Sequence, residues 1–309
     1  MQALIDVILP VFFVIGAGYV FTWRGFTSEE GVEILMKFAQ GIAIPALLFR
    51  AISVMDIQTY FQWSILVTFY FGSLCGFVLG GLGARFVFRR NAEDSVAIGF
   101  CCLFANSVLL GLPITERAYG ADALNTNFVI VAFHAAFCYT IGILVMEVVR
   151  AKGQSAAGVA LRVAKATFST PLMIAMILGF AVNLSGLSLP NAAADAIDIL
   201  ARAGLPVALF ALGGVLFTYK PEGDMRIIGM ICVISLIIHP AIIWGLAPLM
   251  NLDTPALRSA LLTAAMAPGA NAYIFANMYG VAKRVAASAV LVATALSVFS
   301  VWVWLQILP

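Results

Sequence analysis

The stretch GFCCLFANSVLLGLPITERAYG (99–120) decides the reading of this chain, together with a later one, LLTAAMAPGANAYIFANMYG (261–280). Both are apolar enough to lie in a bilayer. Both carry helix breakers near the middle: Asn106, Ser107, Gly111 and Pro113 in the first, Pro268, Gly269 and Asn271 in the second. Proline removes a backbone donor and clashes with the preceding turn, and glycine weakens a helix further. A helix that breaks in mid-membrane starts again there, with unpaired amides and positive dipole potential at the new end. Pro113 suits the first turn of a half-helix beginning after 111, and a second start follows 269. With the side-chain amides of Asn106 and Asn271, these starts predict a site for a carboxylate. Ser107, Ala270 and Tyr273 flank the breaks and complete the candidate set there. Packing kinks are the alternative reading. Two breaks at corresponding positions, each with an asparagine, favour a site, because paired interrupted spans mark the binding sites of transporters.

Composition supports a membrane protein from end to end. Of 309 residues, 63% are hydrophobic and 10% charged, with mean hydropathy +1.04. Soluble chains run to about 45–50% apolar and about 25% charged. A net charge of +2 argues against a nucleic-acid partner. Runs of about 20 apolar residues, enough to span, occur at 4–22, 33–54, 62–86, 95–118, 127–149, 169–187, 196–218, 227–249, 257–279 and 285–307. The expectation is an all-α polytopic protein of ten transmembrane helices. Cys75, Cys101, Cys102, Cys138 and Cys232 all lie within spans without a CxxC pair, which predicts free thiols and no metal or cofactor.

Shifting the sequence by 161 superposes Pro10 on Pro171, Gly18 on Gly179, Pro45 on Pro206 and Phe49 on Phe210. With five spans in each half, 1–150 and 151–309, the second half enters from the opposite side, an inverted repeat. Basic residues such as Arg89, Arg90, Arg150, Lys152, Lys220 and Arg284 flank the odd connections, whereas Arg117 and Arg258 flank the even ones. The positive-inside rule makes the odd connections cytoplasmic and sends both termini outward.

The signatures ANSVLLGLPI (105–114), IPALLFRAIS (44–53) and APGANAYIFANMYG (267–280) resemble the auxin efflux carrier family, which includes plant PIN-formed carriers and bacterial malonate-type carriers. The resemblance covers essentially the whole chain. It implies the fold of the bile-acid sodium symporters, with a scaffold of spans 1, 2, 6 and 7 and a mobile core of spans 3–5 and 8–10. It further implies substrate binding where spans 4 and 9 cross, elevator-type movement, and often a homodimer. Asn106 and Asn271 match the crossover asparagines. The plant carriers have a long loop between spans 5 and 6, and only AKGQSAAGVALRVAKATFST (151–170) stands there in this chain. This matches a short prokaryotic member in the inner (plasma) membrane.

Other polar residues suggest narrower roles. Arg50, beyond Pro45, could contact an anion or snorkel to the outer interface. Arg202 has Asp198, Lys37 has Glu33 and Arg150 has Glu147 at ion-pair spacing. His134, His239 and Glu116 are candidates for proton coupling, and sodium coupling through backbone carbonyls stays open. These features favour a secondary carrier for a mono- or dicarboxylate. A channel or sensor on the same fold is the alternative. An intramembrane enzyme is less favoured, because the chain has neither HExxH nor GxSxG.

Overall fold

The computed structural model describes residue 2 and residues 4–150 and 156–309. Lys152 and the expected boundary between halves at 150/151 adjoin or fall within 151–155, outside the described residues. The described residues are helical apart from turns and one isolated β-bridge.

Among the described residues, seven helices are long and apolar enough to cross a membrane: α1 (Leu4–Trp23), α2 (Glu29–Val54), α3 (Trp63–Val87), α6 (Ala121–Arg150), α9 (Asn191–Thr218), α10 (Met225–Leu246) and α13 (Lys283–Ile307). The other three expected spans are not single long rods. The fourth is α4 (Ala92–Leu103) followed by α5, a wide π turn at Ser107–Gly111 running into Leu112–Tyr119. The ninth is α11 (Thr254–Ala264) followed by α12 (Ala270–Tyr279). The sixth, α8 (Pro171–Ser185), has only 15 residues, roughly 22 Å at 1.5 Å per residue, short of a hydrocarbon core of about 30 Å. Before it, part of the expected connection folds as α7 (Ala156–Phe168), and the axis bends by 76° between the two.

The helix starts follow local chemistry. Ser28, Asn91, Thr170, Asp224 and Asp253 each accept a backbone N–H at the start of α2, α4, α8, α10 and α11. Prolines inside the apolar runs are absorbed by widening the helix. π turns at Leu4–Ile8, Ala39–Ala43, Ser107–Gly111 and Ile234–Ile238 end just before Pro10, Pro45, Pro113 and Pro240. The wider turn relieves the clash of the proline ring with the carbonyl four residues back. Pro206 lies inside α9, which continues through it.

Packing divides the helices into two groups joined by close backbone approaches. In the first, a Cβ on Gly18 of α1 would lie 1.9 Å from the Phe210 carbonyl oxygen of α9, and one on Gly213 would lie 1.9 Å from that of Ile15. Gly179 of α8 sits against Phe49 and Ile52 of α2, and Gly204 of α9 against Ala43. In the second, Gly76 of α3 faces the Cys102 carbonyl of α4, Gly99 faces the Phe77 carbonyl, and Gly142 of α6 leaves room for the stacked Phe100 and Phe275 rings. Small residues at such contacts are how membrane helices pack where lipid supplies no hydrophobic drive. Phe13, Trp63, Phe86, Leu184 and Phe299 project outward, an apolar perimeter suited to lipid. All five cysteines are free thiols.

Candidate functional site

The two broken segments meet at their breaks. Ala105 and Pro268 form an antiparallel bridge, flanked by hydrogen bonds from Asn106 N to Ala267 O (2.8 Å) and from Gly269 N to Phe104 O (2.9 Å). In this register the bonds are made by the neighbours of the bridged pair, so the missing N–H of Pro268 costs the ladder nothing. The Ala105 carbonyl instead accepts from Ser107 N (2.8 Å) and from His134 Nε2 (3.1 Å). On the far side, Asn127 Nδ2 of α6 donates to Thr115 of α5 (3.3 Å) and Thr263 of α11 (3.0 Å), tying the two broken segments together. Unwound backbone is tolerated at membrane depth when it is satisfied in this way.

Helix α5 starts at 107, not after 111 as the sequence suggests. The π turn holds Gly111 N on Asn106 O at 3.0 Å, so Gly111 and Pro113 lie inside the half-helix. Its cap is Asn106, whose Oδ1 accepts from Leu109 N at 3.3 Å. A backbone N–H can only donate, so this bond fixes the orientation of the amide. Asn106 Nδ2 then stands buried with no partner, in a residue 5% exposed. Asn271 Oδ1 accepts from the Tyr139 hydroxyl at 3.0 Å.

These groups line a cavity of about 220 Å³ with walls from both helix groups. From the crossing and α6 come Asn106, Ser107, His134, Tyr139, Ala270 and Asn271. From α2 comes Gln40, and from the start of α8 come Thr170, Pro171 and Met173. Three helix N-termini, those of α5, α8 and α12, therefore face one space. Among the described residues no Lys, Arg, Asp or Glu lines it.

The remaining candidates lie elsewhere. Pro45, Gly111, Pro268 and Gly269 shape the backbone without lining this cavity. Pro113, Arg50 and Glu116 line a second, wider cavity of about 810 Å³, displaced along α2 and α5 toward their C-terminal ends. There Arg50 pairs with Asp198 at 3.0 Å. The expected Asp198–Arg202 pair does not form, because α2 brings a guanidinium to Asp198 from across the groove. The expected Glu147–Arg150 pair is likewise replaced: Arg150 binds Glu93 at 2.8 Å and Glu147 binds Arg162 at 2.5 Å. Lys37–Glu33 forms at 2.7 Å. Tyr273 lies against Tyr219 in a third cavity with Lys220 and Lys283. His239 is buried against Ser73 (3.2 Å), outside all three cavities. Gln40, Tyr139 and the α8 start are additions that sequence reasoning missed. Thr170-Pro171, a cap followed by proline at the first helical position, is the signal that announced the last of them.

The profile of the family described as "Membrane transport protein" matches residues 3–305. The chain belongs to this family. Among relatives, a Rhizobium meliloti (strain 1021) protein named "Putative malonate transporter" is 26% identical over 302 residues, covering 97% of this chain and 94% of that one. "Uncharacterized transporter YfdV" of Escherichia coli (strain K12) is 24% identical over 309 residues, covering 97% and 96%. An "Uncharacterized transporter" of Methanothermobacter thermautotrophicus is 22% identical, covering 98% of both. The protein is thus a membrane transporter of the type its auxin-efflux-like motifs indicate.

Proposed function

We propose that this transporter is a secondary carrier for a small organic anion, a mono- or dicarboxylate, bound where α4–α5 crosses α11–α12. The carrying observation is an imbalance of donors over acceptors. Of the six carbonyls at 104–106 and 267–269, five accept hydrogen bonds within the protein, and both asparagine oxygens are occupied as well. Asn106 Nδ2 is left as a buried donor without a partner, and three helix N-termini add positive potential. A cavity short of acceptors and rich in donors suits a carboxylate better than a sodium ion. The malonate named for one relative is a small carboxylate of this class.

Our reading of the architecture is ten spans in two inverted halves. Its support is that repeat-related residues make related contacts: Gly18 on Phe210 O and Gly179 on Phe49 O. We take α1, α2, α8 and α9 as a scaffold and the other group as a core moving in elevator fashion. Two cavities spaced along α2 fit a site that serves each side in turn. The basic bias of the odd connections supports a plasma-membrane protein with both termini outward, and a homodimer is the assembly proposed.

The test is binding by purified protein of acetate, malonate, succinate and benzoate against their amides. Acids should bind, amides should not, and Asn106→Ala and Asn271→Ala should each weaken binding by roughly ten- to a hundredfold while the protein stays folded. Equal binding of acids and amides refutes the site. Saturable counterflow in proteoliposomes separates a carrier from a channel.

A further inference from the structure

The cavity that we assign to an anion holds no fixed cation, and His134 stands in its wall. We propose that His134 takes up a proton as the anion binds, so that one carboxylate charge of the anion is carried together with a compensating imidazolium. This rests on the anion reading above.

The geometry leaves one ring nitrogen open. The Ala105 carbonyl can only accept, so Nε2 carries the hydrogen of that 3.1 Å bond, and in the neutral ring Nδ1 keeps its lone pair. Among the described residues, the polar atom near Nδ1 is the Cys138 sulfur, at 3.8 Å, a weak partner. A proton can therefore be added at Nδ1 without breaking the bond that holds the crossing. Protonation neither makes nor breaks a covalent bond in the substrate; the proton comes from water and returns to it on release.

Among the described residues, the neighbours of His134 offer no other charge. From α3, Tyr70 stacks at 6.3 Å with its hydroxyl donated to Ile130 O, and Phe69 packs edge-on at 5.6 Å. His239 of α10 lies behind Phe69, 5.5 Å from that ring. Phe104, at the break after α4, packs at 4.7 Å. Tyr139, on the next turn of α6, gives its hydroxyl to Asn271. A lone carboxylate or a lone imidazolium in such a space loses hydration without a counter-charge, whereas the pair compensates itself. Each therefore strengthens binding of the other, and by linkage the effect is reciprocal. Of the three coupling candidates, His134 alone shares the cavity; Glu116 lines the wider one and His239 lines none.

The experiment is titration calorimetry of the purified protein with acetate, malonate, succinate and benzoate in two buffers of different ionisation enthalpy, at about pH 7 and about pH 8. The expected result is uptake of about one proton per anion, with affinity falling about tenfold per pH unit. His134→Gln, whose amide can still donate to Ala105 O, should show no proton uptake and no such slope, and should bind more weakly than the wild-type protein at about pH 7. His239→Gln should retain both. Acid binding by the wild-type protein without proton uptake, or the same uptake in His134→Gln, overturns the proposal and leaves the anion site standing. Failure of every acid to bind overturns the site and the coupling with it.

Discussion

Replacing Asn106 with aspartate separates the two jobs of this side chain. Its Oδ1 caps α5 through Leu109 N, while its Nδ2 is a buried donor without a partner in a residue that lines the cavity. Alanine removes both functions. It should cost about 1 kcal/mol of stability for the lost cap and about 1.5–3 kcal/mol of binding for a hydrogen bond to a charged ligand, roughly ten- to a hundredfold in Kd. Aspartate keeps an oxygen on Leu109 N at a helix start that favours its charge but buries a carboxylate, so thermal stability should lie above that of Asn106→Ala and below that of the wild-type protein. It removes the donor and sets a negative charge beside the ligand. At about 4 Å and an effective dielectric of about 20, two like charges repel by about 4 kcal/mol. With the lost bond, affinity should drop by more than a thousandfold, beyond detection for a millimolar ligand. The assay is ligand-induced thermal shift at about pH 8, where an ordinary carboxylate is ionised, alongside the unliganded melting temperatures of the three proteins. Wild-type affinity in Asn106→Asp, or an unliganded stability no better than that of Asn106→Ala, would refute the division of labour.

Three further outcomes follow from the packing. Gly18→Leu and Gly213→Leu each drive a side chain into backbone 1.9 Å away and should abolish the monodisperse peak in size-exclusion chromatography, whereas Gly16→Ala, with open space around it, should elute and melt as the wild-type protein does. Gly269→Ala should fold and still bind, because Gly269 has an ordinary φ of −74° and the new methyl, 3.3 Å from Phe104 Cδ1, asks that ring to shift by only a few tenths of an ångström; a collapsed melting temperature would show that the ring cannot give way. A double-mutant cycle on Arg50 and Asp198, whose side chains are 30% and 37% exposed, should give a coupling under about 1 kcal/mol in chemical denaturation, and a larger value would mark the pair as a structural lock.

Much of the crossing was legible in the sequence, because proline, glycine and asparagine act locally. Pro268-Gly269 and Asn106 do stand at interruptions of their helices, and the interruptions meet. The start of α5 at 107 was hidden, because a π turn absorbs Pro113 and lets the helix begin five residues earlier. Tyr273 could have been set aside from spacing alone. Two residues beyond Asn271 is about 200° around a helix, so the side chain leaves on the other face. Ion pairs read from spacing failed wherever another element supplied a better partner, as Arg50 does for Asp198 and Arg162 for Glu147. Gln40 and Tyr139 were illegible as site residues: each is one polar group in an apolar run, and only the assembled fold shows which way it faces.

The bridge at Ala105 and Pro268 also explains how a break can be both firm and receptive. A broken helix exposes donors and acceptors in comparable numbers, and a bare break would bind cation and anion alike. Here the exposed groups are consumed unevenly. The ladder uses two amides and two carbonyls. Ser107 N and His134 then both converge on the Ala105 carbonyl, Leu109 N and the Tyr139 hydroxyl take the two asparagine oxygens, and Gly269 O accepts from Ala272 N. The amides of Ala270 and Asn271, first in α12, have no carbonyl of a preceding turn behind them. Most acceptors are thus spent on holding the crossing together, and the donors left over belong to residues that line the cavity. At the proposed site, selectivity for an anion is then a by-product of stabilising the break, and a substitution that frees an acceptor, such as Tyr139→Phe at Asn271, should weaken carboxylate binding by returning an acceptor to the cavity.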